Sequence, residues 1–428
     1  MKQIVHRARR SGIGWLGWVP VATPVGFLLY ARHEWLGSWA GTATWMGGAL
    51  YVSGPLMAGV TAFVVYLQQR AFGASFGGVA PAARARGAVA TPLIVIAAGG
   101  HLLVGLAAFA VTAGINHHFD LSILALPAQA LVLAGHVAFG YAVAALVRQW
   151  WAAPISAVAV FMAPIAGFSG VVPAAWFQFG GEPVVPLGAR ANVELAGLQA
   201  LTAVGVALAC LASTWLGRRW RGSLSAAACV LAGAACVAVG LPGMNRVSDA
   251  PFIDLQETAR CDWLGGRLCL LPSNAFAAGE IEAVIQRADA AFLDAEVPGA
   301  SDLKYQQLGD LAGGTLPQTE SIRYFYLPSP LPGAPGTVAT EVAQYLVVPP
   351  TCWWLEFGDS IPEFAEAQAV TYQAVAWLSL TLGGEDTTGY GAEIKGLSEA
   401  QRTAFAHQAL AALATCQTDN LPASISQP

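Results

Sequence analysis

The run SLSAAACVLAGAACVAVGL, Ser223 to Leu241, contains no charged residue. On its reading rests the arrangement of the whole chain. About 20 apolar residues in a helix cross the hydrocarbon core of a bilayer, so the run is long enough to span one. Immediately before it stand Arg218, Arg219 and Arg221. After Leu241-Pro242-Gly243 the chain becomes polar and acidic: residues 244–428 hold 8 Lys+Arg against 22 Asp+Glu, a net of −14. If the run crosses a membrane, the acidic C-terminal part lies on the opposite side from the arginines.

Six further apolar runs precede it, roughly Gly12–Tyr30, Ala43–Leu67, Ala88–Ala113, Leu121–Val147, Ala152–Val172 and Leu195–Leu216. Pro127 lies in the fourth and Pro164 in the fifth; neighbouring helices re-satisfy the backbone where proline interrupts a span. The first run is too long for a signal-peptide core and no A-x-A site follows it, so it is expected to stay as an uncleaved helix. Short loops on the cytoplasmic side of a membrane protein carry an excess of Lys and Arg. Lys2, Arg7, Arg9, Arg10, Arg70, Arg84, Arg86, Arg148, Arg218, Arg219 and Arg221 all fall on one side of the seven runs. Only Arg32 and Arg190 fall on the other, together with Glu34, Asp120, Glu182 and Glu194. The N-terminus is therefore expected in the cytoplasm and the C-terminal part outside the cell. Loss of the alanine-rich seventh run would reverse the second placement.

Composition agrees with a multi-pass membrane protein. Of 428 residues, 55% are hydrophobic and 11% charged, against about 25% charged in soluble domains, and the mean hydropathy is +0.54. Lysine is scarce, 3 against 18 arginines, a bias that suggests a GC-rich bacterial genome such as that of an actinobacterium. The acidic C-terminal part argues against nucleic acid as a partner. The expected fold is a polytopic α-helical membrane bundle of six to seven helices plus a C-terminal α+β extracytoplasmic domain. The expected boundaries are 1–243 for the helical domain, 244–260 for a linker and 261–428 for the outer domain.

Within the outer domain, GEIEAVIQRADAAFLDAE places Ile281, Val284, Ile285, Ala288 and Phe292 at helical spacing. ESIRYFYLP and AQYLVVPP are short β-prone runs separated by the turn-rich PSPLPGAPG. SIPEFAEAQAVTYQAVAWLSLTLGG opens on a capping box, Ser360 and Glu363, and stops at Gly383-Gly384. A second box, Ser398 and Gln401, opens a last helix whose buried face includes Phe405, Ala412, Leu413 and Cys416. Trp353, Trp354 and Phe357 are either core or a contact surface. Three cysteines, Cys210, Cys229 and Cys236, lie within apolar runs and are read as packing residues. The other four, Cys261, Cys269, Cys352 and Cys416, are expected to form disulfides in an oxidising compartment. Three pairings are open; 261–269 with 352–416 is favoured because a short loop closes easily.

Several chemistries fail on residue counts. Lys2, Lys304 and Lys395 are the only lysines and none sits in a phosphate-binding Gly-Lys-Ser/Thr loop, so the chain is not a P-loop ATPase. HEWLG at His33 has glycine where a zinc-protease helix needs its second histidine, and GFSGV, Gly167 to Val171, lacks the spacing of a nucleophile elbow. No C-x-x-C occurs, His407 is the outer domain's one histidine, and it is read as the polar face of its helix. No enzyme activity, resident cofactor or metal is expected. His101 and His136 lie midway along the third and fourth runs, with Gln129 nearby, and form a candidate intramembrane polar site. They mark either a pathway or cofactor, or plain interhelical hydrogen bonding. His117, His118 and Asp120 sit in an outer loop. WFQFGGEPVVPLGARANVE, before the sixth run, either dips into the interface as a broken segment or is a plain loop.

The basic stretch VHRARR, the second run SGPLMAGVTAFVVYLQQR and the following AFGASFGGVAPAARARGAVATPL resemble the membrane subunit of a type-2 ABC transporter. The resemblance covers the first 216 residues. It implies a permease that works with a separately encoded ATPase, docked through a cytoplasmic segment in which Arg70, Arg84 and Arg86 occupy comparable places. It also implies a homodimer or pairing with a second permease in the lipid bilayer. The C-terminal domain is similar to an appendage on such proteins. The alternative expectation is a membrane-anchored extracytoplasmic binding or sensing protein without transport.

Overall fold

The structure is a computed structural model. It describes residues 18–75, 82–180, 189–213, 220–247, 252–254, 258–297, 299–308, 321–327, 335–348, 365–416 and 420–425. The chain forms two compact units. The first comprises Met1–Ala113, Phe119–Val185 and Arg190–Ile253; the second comprises Gly114–His118, Pro186–Ala189 and Asp254–Pro428.

The first unit is a bundle of helices: α1 (Val19–Tyr30), α2 (Trp39–Gly48), α3 (Leu50–Ser75), α4 (Ala82–Ile115), α5 (Ala125–Val147), α6 (Ala152–Phe168), α7 (Val193–Ser213) and α8 (Trp220–Met244). Two three-residue strands, β1 (Ala189–Ala191) and β2 (Phe252–Asp254), pair with each other. Among the described residues five helical stretches are long and apolar enough to cross a membrane: Trp39–Arg70, Ala90–Ile115, Leu121–Val147, Val193–Ala212 and Ala227–Met244. Val19–Tyr30 and Ala152–Phe168 are apolar but shorter. At about 1.5 Å per residue, the 17 residues of α6 reach some way short of a bilayer core of about 30 Å. The second expected span, Ala43–Leu67, lies within the one crossing stretch Trp39–Arg70, which is interrupted once, between α2 and α3. Ser38 caps α2 by accepting the Gly41 amide at 2.9 Å, and α2 ends at Gly48, one residue before α3 begins. Arg70 stands on α3 at the end of its apolar stretch, and α4 begins ahead of its own at Ala90, so Arg84 and Arg86 lie within the bounds of α4.

Packing in the bundle relies on small residues. Where α7 meets α8, a Cβ on Gly205 would lie 2.6 Å from the Gly233 carbonyl oxygen, and the reverse substitution meets the same obstacle. Without a hydrophobic drive between helices in lipid, such close approach supplies the van der Waals contact that holds them together. The run that opened the sequence reading is thus a helix packed along its neighbour.

The second unit combines a four-stranded sheet with helices. In order across the sheet, β3 (Arg260–Trp263) pairs antiparallel with β4 (Leu268–Leu270), β4 parallel with β5 (Lys304–Gln307), and β5 parallel with β6 (Ile322–Phe325). Between β4 and β5 runs α9 (Ala278–Asp294), which makes a β-α-β crossover. The helices α10 (Pro335–Leu346), α11 (Ala365–Thr381), α12 (Gly391–Gly396) and α13 (Glu399–Ala414) follow. Ile281, Val284, Ile285, Ala288 and Phe292 are all buried in the shared core, as their spacing requires. Ser398 and Gln401 form the capping box of α13, whose Phe405, Ala412 and Leu413 are buried. Ser360, Pro362, Glu363, Trp353, Trp354 and Phe357 lie outside the described residues.

AQYLVVPP is not a strand: Ala343 to Leu346 finish α10. Val338, Ala339, Val342, Ala343 and Leu346 are buried, a period of three to four that a short β-prone window hides. ESIRYFYLP does contain β6. Cys261 and Cys269 are joined in a disulfide that bridges the antiparallel pair β3–β4. The turn between them needs positive φ at Gly265 and Gly266, 65° and 88°, where glycine avoids the Cβ clash. Cys416 is also disulfide-bonded; its expected partner, Cys352, lies outside the described residues. Cys210, Cys229 and Cys236 form no disulfide.

Candidate functional site

The first unit holds a cleft of about 210 Å³ among α5, α6, α7 and the segment after α6. α6 and α7 each pack on α5 but scarcely on each other, which leaves the space between them open. Helix α5 contributes Val132, Gly135, His136 and Phe139; α6 contributes Ala159, Val160, Ala163 and Pro164; α7 contributes Gln199, Thr202, Ala203 and Val206. Trp176, Phe177 and Phe179 close one end.

Those three aromatics belong to the stretch whose course the sequence left open, and its residues 176–179 pack into the bundle. The Tyr51 hydroxyl donates to the Phe177 carbonyl at 3.2 Å and accepts the Phe179 amide at 3.0 Å. The Gln199 side-chain amide donates to the carbonyls of Ala175 and Gln178 at 2.8 and 2.9 Å. Buried irregular backbone must have such partners, and two side chains from α3 and α7 provide them. Residues 181–188 of the same stretch lie outside the described residues.

His136 lines this cleft, half-buried. Its ring meets Phe179 edge-on, with centroids 6.2 Å apart. Its other flank lies against Gly54 of α3, where a Cβ would overlap Nδ1 and sit 2.8 Å from Cε1. Nδ1 is enclosed and makes no hydrogen bond among the described residues. His101 is fully buried. Its Nε2 lies 3.5 Å from Gln129 Oε1, while Gln129 Nε2 donates to the Ala43 carbonyl at 2.8 Å. The structure therefore brings together His101 and Gln129 and ties α4, α5 and α2 through them. It does not bring His136 to either; Gln129 precedes it by two helical turns, about 10 Å. A smaller cavity of about 30 Å³ lies between Gln129, Asn192, Gln199 and Phe179, roomy enough for a single water.

Arg70 is exposed on α3, and the side chains of Arg84 and Arg86 lie outside the described residues. Asp120 caps the turn Leu121–Leu124 through the Ser122 amide at 2.6 Å. Among the described residues no group of three or more His, Cys, Asp or Glu could hold a metal.

The second unit has two polar features that the sequence reading missed. Asp289 of α9 accepts from Arg267 at 2.6 Å and from the Tyr305 hydroxyl. Burial, and then the Asp289 carboxylate, push the Tyr305 phenol well above its ordinary range. Asp386 sits in a tight loop. Burial raises its carboxyl, but bonds from the Thr388 hydroxyl and from the amides of Gly391, Thr388 and Gly389 together hold it below the ordinary value. A cavity of about 240 Å³ is lined by Gln344, Val348, Thr371, Tyr372, Val375, Thr387 and Thr388. His407 is exposed on α13 and pairs with Glu296 at 3.0 Å, in line with its reading as a polar-face residue. No local signal marks Asp289 or Asp386; each acquires its partners only when the chain folds.

Comparison with protein-family models, with curated proteins and with solved structures finds no match to this chain.

Proposed function

We propose that the chain is a permease-like integral membrane subunit of an ABC-type transporter, working with a separately encoded ATPase. The observation that carries the reading is the cleft: the bundle holds an open space between α6 and α7, two helices that scarcely touch. A mere anchor needs no such space, whereas alternating exposure of a transport path needs helices free to separate. The extension of α4 ahead of its apolar stretch adds support, since it carries Arg84 and Arg86 on a helix, and Arg70 stands on α3 at the end of the stretch Trp39–Arg70. In this reading the N-terminus and those arginines face the cytoplasm, seven crossings leave the disulfide-bearing unit outside, and two bundles pair in the bilayer. The test is affinity purification of the full-length protein from its native membranes. A nucleotide-binding protein is expected to co-purify and to be lost from the double variant Arg84→Glu/Arg86→Glu. Purification without any ATPase, or recovery unaffected by both replacements, removes the docking scheme.

A second reading, a membrane-anchored binding or sensing protein, draws on the 240 Å³ cavity with its threonine, glutamine and tyrosine lining. It is favoured if no ATPase accompanies the chain.

A further inference from the structure

We propose that the cleft around His136 is a binding site for an uncharged, hydroxyl-bearing lipophile about the size of one aromatic ring. The inference deepens the permease reading by naming a substrate class, and only the word substrate rests on that reading.

The lining sets the ligand's chemistry. Among the described residues no Asp, Glu, Lys or Arg lines the cleft, so none of them would neutralise a charge, and burying an unpaired charge is strongly unfavourable. Phe139, Val160, Pro164, Trp176, Phe177 and Phe179 present apolar and aromatic surface. The polar side chains are mostly committed. The Thr202 hydroxyl donates to the Leu198 carbonyl at 2.9 Å, and the Gln199 amide donates to two carbonyls of the 175–178 segment. His136 is the exception. Its Nδ1 flank is sealed against Gly54, so the edge that reaches the cleft is Nε2, which has no partner among the described residues. A hydroxyl both donates and accepts, and so satisfies Nε2 in either tautomer.

The size follows from the volume. An apolar cavity of about 150 Å³ accommodates benzene, and this one is about 210 Å³. One ring with a short alkyl substituent, or the hydroxylated end of a longer lipid, fills it.

The experiment uses purified full-length protein in lipid nanodiscs, with a photoreactive diazirine-bearing alkylphenol as probe and its methyl ether as comparison. Saturable adducts are expected in the peptides containing residues 159–164, 176–179 and 199–206, displaced by unlabelled alkylphenol. Loss of one hydrogen bond in His136→Leu should weaken the phenol by roughly fivefold to tenfold and leave the ether unchanged. Ala163→Phe, or Ala159→Leu where the first variant is not monodisperse, fills the cleft and should abolish labelling by both. Unsaturable labelling spread over the lipid-facing surface overturns the proposal. So does an equal effect of His136→Leu on phenol and ether. The assay requires no ATPase: a chain that recruits an ATPase but fails here loses only the ligand, and one that binds the phenol without an ATPase loses only the transporter assignment.

Discussion

Replacing Gly54 by alanine tests whether His136 is held against α3 as described. A Cβ there would overlap the imidazole and sit 2.8 Å from Cε1, closer than non-bonded carbons tolerate, so the ring must yield. Overpacking of this kind destabilises by about 1–3 kcal/mol. The low end applies, because the ring has the 210 Å³ cleft on its other side and moves into it rather than straining the backbone. About 1 kcal/mol corresponds to a fall of about 2–4 °C in midpoint for a unit of this size. The displaced ring then occupies the space a ligand would take, so phenol labelling should fall although no cleft-lining side chain has been changed. His136→Ala removes the obstacle, and Gly54→Ala added to it should be nearly neutral. The coupling in this double-mutant cycle should be about 1 kcal/mol. The assay is the thermal midpoint of the full-length protein in one detergent, at one scan rate, for the two single variants and the pair. Strict additivity would refute the contact and, with it, the placement of Nε2 toward the cleft.

Three further outcomes concern the second unit. Removing the Cys261–Cys269 bridge as the double serine variant should destabilise that unit by about 2.5 kcal/mol, the chain-entropy value for a loop this short, read as an earlier loss of near-ultraviolet circular dichroism. Tyr305→Phe removes the hydroxyl donor to Asp289 while sparing the Arg267 pair, and should lower stability by about 1–2 kcal/mol, measured by denaturant unfolding. Because the folded state raises the Tyr305 phenol, its contribution is complete below about pH 10, the ordinary phenol value, and is lost as pH rises further. Wild type should therefore lose stability more steeply above that pH than Tyr305→Phe does, and parallel curves would contradict the assignment.

The bundle was legible where a single period or composition decided the matter. Long apolar runs with arginines gathered on alternate sides need no tertiary information, and the helices appear where those runs are. The faces of α9 and α13 and the capping box at Ser398 were equally local. The misreading of AQYLVVPP came from a window too short to separate a period of two from one of three to four. The strands β3, β4 and β5 are three or four residues long and exist only because neighbours pair with them. The candidate site was half legible. His101, His136 and Gln129 stood out as polar groups at membrane depth. That Gln129 bonds His101, that Gly54 seals one flank of His136, and that Trp176 to Phe179 fold back into the bundle depend on contacts between distant parts of the chain.

Sidedness is the claim on which the transporter reading and the disulfides both depend. In a background with Cys210, Cys229 and Cys236 changed to alanine, Lys395→Cys and Arg70→Cys place single reporter thiols at exposed positions in the two units. Intact cells treated with a membrane-impermeant maleimide should label Lys395→Cys at once and Arg70→Cys only after lysis. Labelling of Arg70→Cys in intact cells, or protection of Lys395→Cys until lysis, would contradict the account.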